Sequence, residues 1–229
     1  MYRLDRRTPV LRMLQAWILA LAALGLGSSS RASYSGLVLI PTADVSGAYT
    51  WVLDLHWTAY SNAFSTDELL LNTEFGIGER FEIGIDMNLS RDVSDGRLLL
   101  NAKYVLLQSE RHQFALAAGI QNMNEGFTPY PFLVATKDWS LFRTHFGVQR
   151  ESETKRTNWF VGLDRTFDEK WQVMADYTSG EENYASAGLA WSGKRWQFML
   201  GAQWPNAGGP AIAVFHVVLS GQSAKARSR

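Results

Sequence analysis

The sequence predicts an all-β protein, a transmembrane antiparallel up-and-down β-barrel of about 12 strands. Three observations predict it: a regular alternation of apolar and polar residues, glycines on the polar face, and tryptophans at the ends of the alternating segments. The alternation is clearest over residues 81–90, where every odd position is apolar and every even position is polar or glycine. A period of two residues is that of a β-strand with two different faces.

Short and longer connections divide the chain after residue 50 into twelve such segments. The alternation of apolar and polar residues is regular in the first half and less regular in the second. Most segments have about 9 to 11 residues, the length of a tilted membrane-spanning strand, whereas soluble strands average about 5 to 6. In the sixth segment we predict that Tyr130, Phe132 and Val134 face away from Lys137. The short connections are 78–80, 109–111, 138–140, 167–169 and 192–194, and the longer ones are 61–67, 91–96, 122–129, 150–157, 179–183 and 205–209.

Glycines recur on the face that is otherwise polar. Glycine weakens a strand that faces water, but inside a closing barrel it relieves crowding and permits curvature. The polar face is therefore predicted to line the barrel interior. The glycines are Gly76, Gly84, Gly119, Gly147, Gly162, Gly188 and Gly201.

Tryptophans are predicted near both ends of the barrel, as in the aromatic girdles that lie at lipid headgroups. Trp159 and Trp204 lie near the end that carries the longer loops. At the short-turn end lie Trp51, Trp139, Trp171, Trp191 and Trp196. Alternation alone also fits a soluble β-sandwich or a lipocalin-like barrel. Strand length, glycines and tryptophans together favour the membrane barrel.

The first 32 residues have the features of a cleaved signal peptide. Four arginines between Arg3 and Arg12 precede an apolar run at 16–26, which is shorter than the roughly 20 residues of a membrane-spanning helix. Ser30-Arg31-Ala32 is a small-x-small cleavage pattern. We therefore expect a signal peptide at 1–32, a periplasmic segment at 33–49, the barrel at 50–219 and a basic tail at 220–229. The predicted location is a Gram-negative outer membrane.

Composition and charge exclude several classes of protein. The chain has no cysteine, so it holds no disulfide framework and no thiolate metal site. Its 22 basic and 22 acidic residues balance, which argues against a nucleic-acid partner. Without residues 1–32, which hold five basic residues and one acid, 17 basic and 21 acidic residues remain, so the mature protein is mildly acidic.

From Ser33 to Leu219 the chain resembles a small bacterial outer-membrane β-barrel. Residues 34–43, Tyr-Ser-Gly-Leu-Val-Leu-Ile-Pro-Thr-Ala, are similar to the Gly-Leu-x-x-x-Pro-Thr/Ser-Ala start of YjbH-like barrels, which are associated with exopolysaccharide secretion. Size and strand number also resemble the twelve-stranded oligogalacturonate-type porins, which favour a basic lumen. Barrels of this kind usually end on an aromatic residue, whereas here Phe215 and Leu219 precede ten further residues. The resemblance implies the outer-membrane bilayer and the barrel-assembly machinery as partners.

The sequence predicts no catalytic residue, metal or cofactor. It contains no Gly-x-Ser-x-Gly, phosphate-binding loop or His-Glu-x-x-His motif. The four histidines, His56, His112, His145 and His216, are scattered without ligand spacing. A membrane-embedded phospholipase would need a Ser-His pair on the outer wall, but His56 and His145 are predicted on the inner face. We therefore expect a protein that is not an enzyme.

Charged side chains on the predicted inner face are the candidate pore-lining residues. Seven acids against three bases predict a mildly cation-favouring interior, since lumen charges set selectivity. Alternatively the same groups pair and plug the lumen, because buried charges persist only when paired. Pro41, Thr42 and Asp44 would favour the plug if their segment folded inward. The set is Asp54, Glu68, Glu74, Glu82, Asp86, Asp164 and Asp176 with Lys103, Lys137, Arg143 and His145.

Two functions fit this reading. The first is a narrow passive channel for small hydrophilic solutes, among them small saccharides. The second is a non-conducting accessory or structural barrel in envelope or exopolysaccharide assembly, with exopolysaccharide machinery as partner and loops 122–129 and 150–157 as the partner surface.

Overall fold

The computed structural model describes residues 36–59, 68–90, 98–123, 129–152 and 155–223. The predicted signal peptide at 1–32 lies outside these residues, as do 33–35, the middle of several longer loops and the last six positions. No helix within the described ranges is long and apolar enough to cross a membrane.

The described residues form twelve antiparallel strands in one closed barrel, so the predicted strand number and architecture are confirmed. Each strand pairs with its neighbours in sequence, and β1 pairs with β12 from Thr50↔Gln222 to Ala59↔Ala213. Closure leaves no unpaired sheet edge. The strands are β1 (Thr50–Ala59), β2 (Glu68–Ile77), β3 (Phe81–Asn88), β4 (Leu98–Ser109), β5 (Phe114–Met123), β6 (Tyr130–Asp138), β7 (Arg143–Arg150), β8 (Thr157–Phe167), β9 (Trp171–Thr178), β10 (Tyr184–Ser192), β11 (Trp196–Pro205) and β12 (Ile212–Gln222).

β12 continues three residues beyond the predicted barrel boundary at 219. Ser220 is buried, and Gly221 pairs with Trp51 across the closing seam. A Cβ atom on Gly221 would lie 2.5 Å from Trp51 Cζ2, so the glycine makes room for the ring. Pairing with β1 therefore draws the start of the predicted tail into the barrel.

The two faces of the sheet differ as the alternation predicts. On β8, Trp159, Val161 and Leu163 are exposed on the outer face, whereas Phe160 and Asp164 are buried inside. The outer face is apolar along most strands, and Leu200 is 63% exposed there. Such a surface suits a hydrocarbon environment and is unusual on a protein surrounded by water.

The predicted orientation of β6 is wrong. Phe132 and Val134 are buried inside the barrel, and Lys137 lies on the outer face instead of in the lumen. Thr136, which lies between Val134 and Lys137 in sequence, is also buried inside the barrel. It pairs with His145 on β7, which faces the lumen. A shift of one residue reverses every side chain of a strand. The run from Phe132 to Ala135 is apolar on both faces, so its sequence carries no alternation from which to assign them.

Residues 36–49, the luminal segment, lie inside the barrel and not in the periplasm where 33–49 was expected. A tight loop forms where Leu37 N–H donates to Ile40 O at 2.9 Å and Gly36 bridges to Pro41. The chain then crosses the lumen and joins β1 after Tyr49 N–H donates to Gly76 O at 3.0 Å. This is the inward folding that the plugged alternative required.

Candidate functional site: the barrel lumen

The tip of the luminal segment packs against β8, β10 and β11. Leu37 and Val38 are buried in an apolar cluster that includes the inward-facing Phe160. A Cβ on Gly162 would lie 2.5 Å from Leu37 Cδ1, and one on Gly188 would lie 2.9 Å from Val38 Cγ2. Any larger residue at these two positions would force side chains of the segment to shift. These two inner glycines therefore provide space for the segment.

Polar side chains of the wall hold the backbone of the segment. Leu39 N–H donates to Asp176 Oδ2 at 3.1 Å, on the β9 side of the lumen. Ser46 N–H donates to Glu82 Oε2 at 2.6 Å, and Ser46 Oγ donates to Glu74 Oε2 at 3.2 Å, on the opposite side. Three of the predicted pore-lining acids therefore accept hydrogen bonds from the segment.

One ion pair joins the segment to β7. The Arg143 guanidinium contacts Asp44, and both side chains remain partly exposed. Desolvation in the lumen raises the pKa of Asp44, but the charge of Arg143, its hydrogen bond and the charge of Lys103 together bring this pKa below its ordinary value. Both groups are therefore charged at neutral pH, although exposure limits the strength of the pair.

A buried network under the segment links Asp164, His145 and Thr136. His145 Nε2 lies 2.7 Å from Asp164 Oδ1, and His145 Nδ1 lies 2.9 Å from Thr136 Oγ1. Thr136 Oγ1 also accepts from Ala43 N–H at 2.9 Å, and Gln172 Nε2 donates to Asp164 Oδ2 at 2.9 Å. The order carboxylate, imidazole, hydroxyl is that of a hydrolase triad. Here the segment covers the hydroxyl, so the network positions Ala43 and leaves no room for a substrate.

A second network lies at the seam between β12, β1 and β2. His216 Nδ1 lies 2.9 Å from Asp54 Oδ2, which also accepts from Asn72 Nδ2 at 3.1 Å. The His216 ring stacks on His56 with centroids 4.2 Å apart. The described residues contain no group of three or more His, Cys, Asp or Glu side chains placed to hold a metal ion.

A cavity of about 160 Å³ remains between the segment and the β1–β6 side of the wall; Gly36 and Pro41 line it from the segment. At about 30 Å³ per water, it has room for roughly five water molecules. Its wall side carries carboxylates, amides and one ammonium group. Glu82 pairs with Lys103 at 3.3 Å, and Asn101 Nδ2 donates to Asp86 Oδ2 at 2.6 Å. We call this cavity the luminal chamber; its polar lining residues are His56, Asn72, Glu74, Glu82, Asp86, Asn101, Lys103 and Gln121.

The barrel places all but one of the predicted pore-lining residues toward the lumen. Lys137 is the exception: it donates to His112 O and lies 5.1 Å from the ring centroid of Trp139 at the short-turn end. Sequence reasoning missed the inward Thr136, because β6 has no alternation in this region, and it missed the inward His216, which period two from Ile212 on β12 would have located. The inward-facing set is Asp54, Glu68, Glu74, Glu82, Asp86, Lys103, Arg143, His145, Asp164 and Asp176.

The predicted girdle residues are on the outer face at the two ends of the barrel, with one difference. Trp51 is buried, with its ring against Gly221, so it presents little surface to a membrane. Trp57, which was not assigned to a girdle, is 37% exposed near the loop end of β1. The remaining outer-face residues are Trp139, Trp159, Trp171, Trp191, Trp196 and Trp204.

Known proteins are similar to this chain in structure. No protein-family profile and no curated protein sequence matches it. A KdgM porin in complex with disordered oligogalacturonate superposes with a TM-score of 0.56 at 12% identity, over 75% of this chain and 98% of that one. KdgM porin alone gives 0.55 at 11% identity over 75% and 98% of the two chains. NanC porin gives 0.52 at 9% identity over 75% and 99%. The similarity of residues 34–43 to YjbH-like barrels finds no support in these matches, and the fold is that of the KdgM and NanC porins.

Proposed function

We propose that this protein is an outer-membrane barrel that forms a narrow passive channel for small hydrophilic solutes, among them small saccharides. The observation that carries the proposal is a polar chamber of about 160 Å³ inside a closed barrel with an apolar outer face. The likeness to KdgM and NanC porins supports it. Export by a signal peptide at 1–32 and insertion by the barrel-assembly machinery belong to the same proposal, which contains no catalytic step and no cofactor.

The luminal chamber favours neutral or cationic solutes over acidic ones. Its three acids, Glu74, Glu82 and Asp86, face one base, Lys103, which is paired with Glu82. Side chains that line a narrow pore select ions by their charge. A solute that carries a carboxylate, such as the oligogalacturonate bound to KdgM, would meet repulsion here. We therefore infer that this channel prefers neutral or cationic solutes to acidic ones.

The luminal segment limits the width of the channel. It spans the lumen from Asp176 to Glu82, so a solute passes only through the space beside it or after its displacement. We infer a small conductance with the segment in place and a larger one when it is released.

The same segment favours the second candidate, a non-conducting accessory or structural barrel in envelope or exopolysaccharide assembly. A lumen filled by its own chain suits a barrel whose loops bind a partner. Within the proposed partner surface, at 122–129 and 150–157, residues 124–128 and 153–154 lie outside the described residues.

Single-channel recording of the refolded protein in a planar bilayer, combined with solute uptake into proteoliposomes, tests the proposal. We expect small conductance steps with cation preference, and faster uptake of galactose than of galacturonate, which differ by one carboxylate. Faster uptake of galacturonate would overturn the charge preference. A folded, heat-modifiable barrel that conducts neither with the segment in place nor after its release would overturn the channel in favour of the accessory barrel.

A further inference from the structure

The turn between β10 and β11, residues 193–195, differs in charge from the other short turns, all of which the structure describes. Lys194 and Arg195 are its only charged residues. The turn at 78–80 contains Glu79 next to Arg80 in sequence, and the turn at 110–113 contains Glu110 next to Arg111. The turn at 168–170 holds two acids and one lysine, and the turn at 139–142 holds no charge. Positive charge is therefore concentrated at one point of the barrel rim.

These two cations have no ion-pair partner among the described residues, whereas Lys103, Arg143 and Arg156 each have one. The turn itself is well held by its backbone. Gly193 N–H donates to Trp196 O at 2.7 Å, and Ser220 N–H donates to Arg195 O at 2.9 Å. The charges are thus presented from a fixed backbone, with side chains available to an external anion.

A shallow, open aromatic cleft lies directly beside the turn on the outer face. The ring of Phe198 stacks with Trp191 at 6.0 Å and with Trp196 at 6.4 Å between centroids. Gly193 contributes to the cleft, because a Cβ there would lie 3.2 Å from Trp191 Cη2. Apolar walls and two cations thus share one surface at the depth of the short-turn girdle.

We propose that this cleft binds the headgroup and glycerol region of an anionic phospholipid. Lys194 and Arg195 would contact the phosphate, and the three rings would pack against the glycerol and the start of the acyl chains. Aromatic rings favour the interface between headgroups and hydrocarbon, and basic side chains attract anionic lipids there. The two charges and the rings act on the same molecule, so each contributes to its retention. This site is on the outer face and is independent of conduction through the lumen.

Native mass spectrometry of the protein, after incorporation into nanodiscs with equal phosphatidylglycerol and phosphatidylcholine, measures the retained lipid. We expect preferential retention of one phosphatidylglycerol. The Lys194→Gln/Arg195→Gln variant should lose this preference by about 30-fold, which is the effect of two cations at the membrane surface. Arg80→Gln/Arg111→Gln is the matched control, since it removes two cations from turns that also carry acids, and it should retain the lipid.

Two further arms separate a lipid from a free anion. Trp196→Leu keeps both cations and should weaken retention several-fold, whereas excess inorganic phosphate should compete poorly. Equal retention of both lipids by the unaltered protein, or equal loss in the control variant, would overturn the site. Full displacement of the lipid by phosphate, with no effect of Trp196→Leu, would show that the site binds a simple anion. That result would also overturn the proposed lipid site. Heat-modified migration on gels verifies that each variant is folded.

Discussion

The two sides of the lumen are built from different residues. Along β8 to β11 the wall carries Gly162, Gly188 and Gly201, and the luminal segment packs against it with apolar side chains. Along β2 to β4 the wall carries longer polar side chains such as Asp86 and Asn101, and the luminal chamber remains open beside them. Gly162, Gly188 and Gly201 therefore mark where the chain fills its own barrel, whereas Asp86 and Asn101 border the space that stays open.

This difference separates two roles of the inward-facing charges. Asp164 is buried and bonded within the wall, so its charge supports the fold. Asp86 borders the chamber and bonds to Asn101, without a hydrogen bond to the segment. Substitutions on the two sides should consequently change different properties.

The largest effect is expected at the buried pair. His145→Leu leaves the Asp164 carboxylate without its main partner and should lower the free energy of unfolding by about 3 kcal/mol. His145→Leu/Asp164→Leu removes both partners and should cost less than the single substitution, because no unpaired charge remains. Urea unfolding in lipid vesicles, followed by tryptophan fluorescence, measures both. A double variant less stable than the single one would contradict this account.

The next effect concerns the glycine side. Gly162→Val/Gly188→Val should displace the luminal segment, because overpacking costs about 1–3 kcal/mol and displacement of the segment relieves it. The chain has no cysteine, so Val38→Cys provides a single probe for maleimide labelling. We expect labelling to accelerate by about tenfold or more, with larger conductance steps.

Ala175→Val/Ala187→Val adds two carbon atoms per site on the outer face of the same sheet, against three per site in the glycine variant, and is the matched control. Equal acceleration in this control would indicate a general loosening of the barrel. An unchanged rate in both would show that the segment does not depend on the glycines.

A smaller effect is expected at the ion pair. Arg143→Gln removes the partner of Asp44, and a partly exposed pair contributes about 0.5–1 kcal/mol, so Val38→Cys labelling should accelerate by roughly threefold. Arg156→Gln breaks the exposed pair with Glu182 in a loop and should leave the rate unchanged. High salt should reduce the difference between Arg143→Gln and the unaltered protein.

The smallest effect is expected on the polar side. Asp86→Asn should reduce the cation preference by less than about twofold and leave Val38→Cys labelling unchanged, because the side chain borders the chamber alone. The reversal potential in a salt gradient measures the preference, with Asp168→Asn in an external turn as control. A change in labelling with no change in reversal potential would contradict this assignment, because it would show that Asp86 holds the segment and does not set the ion preference.

The sequence by itself determined the closed barrel and most of its two faces. Period two over 81–90 assigns each side chain of β3 to one of the two faces of the sheet. The inward positions of Glu82 and Asp86 follow from it. Local alternation suffices there because the pleat places successive side chains on opposite faces. Strand length and connections then predict the number of strands.

Only the tertiary structure decided what fills the barrel. The run from Phe132 to Ala135 in β6 is apolar on both faces, so its orientation depends on the buried cluster that Phe132 and Val134 form with the luminal segment. Trp51 leaves the girdle because Gly221, which is 170 residues away in sequence, offers space across the closing seam. Residues 36–49 carry no alternation, and their position is set by contacts with glycines and acids on distant strands. Such long-range contacts have no local pattern, because each is made by side chains that the closed barrel alone brings together.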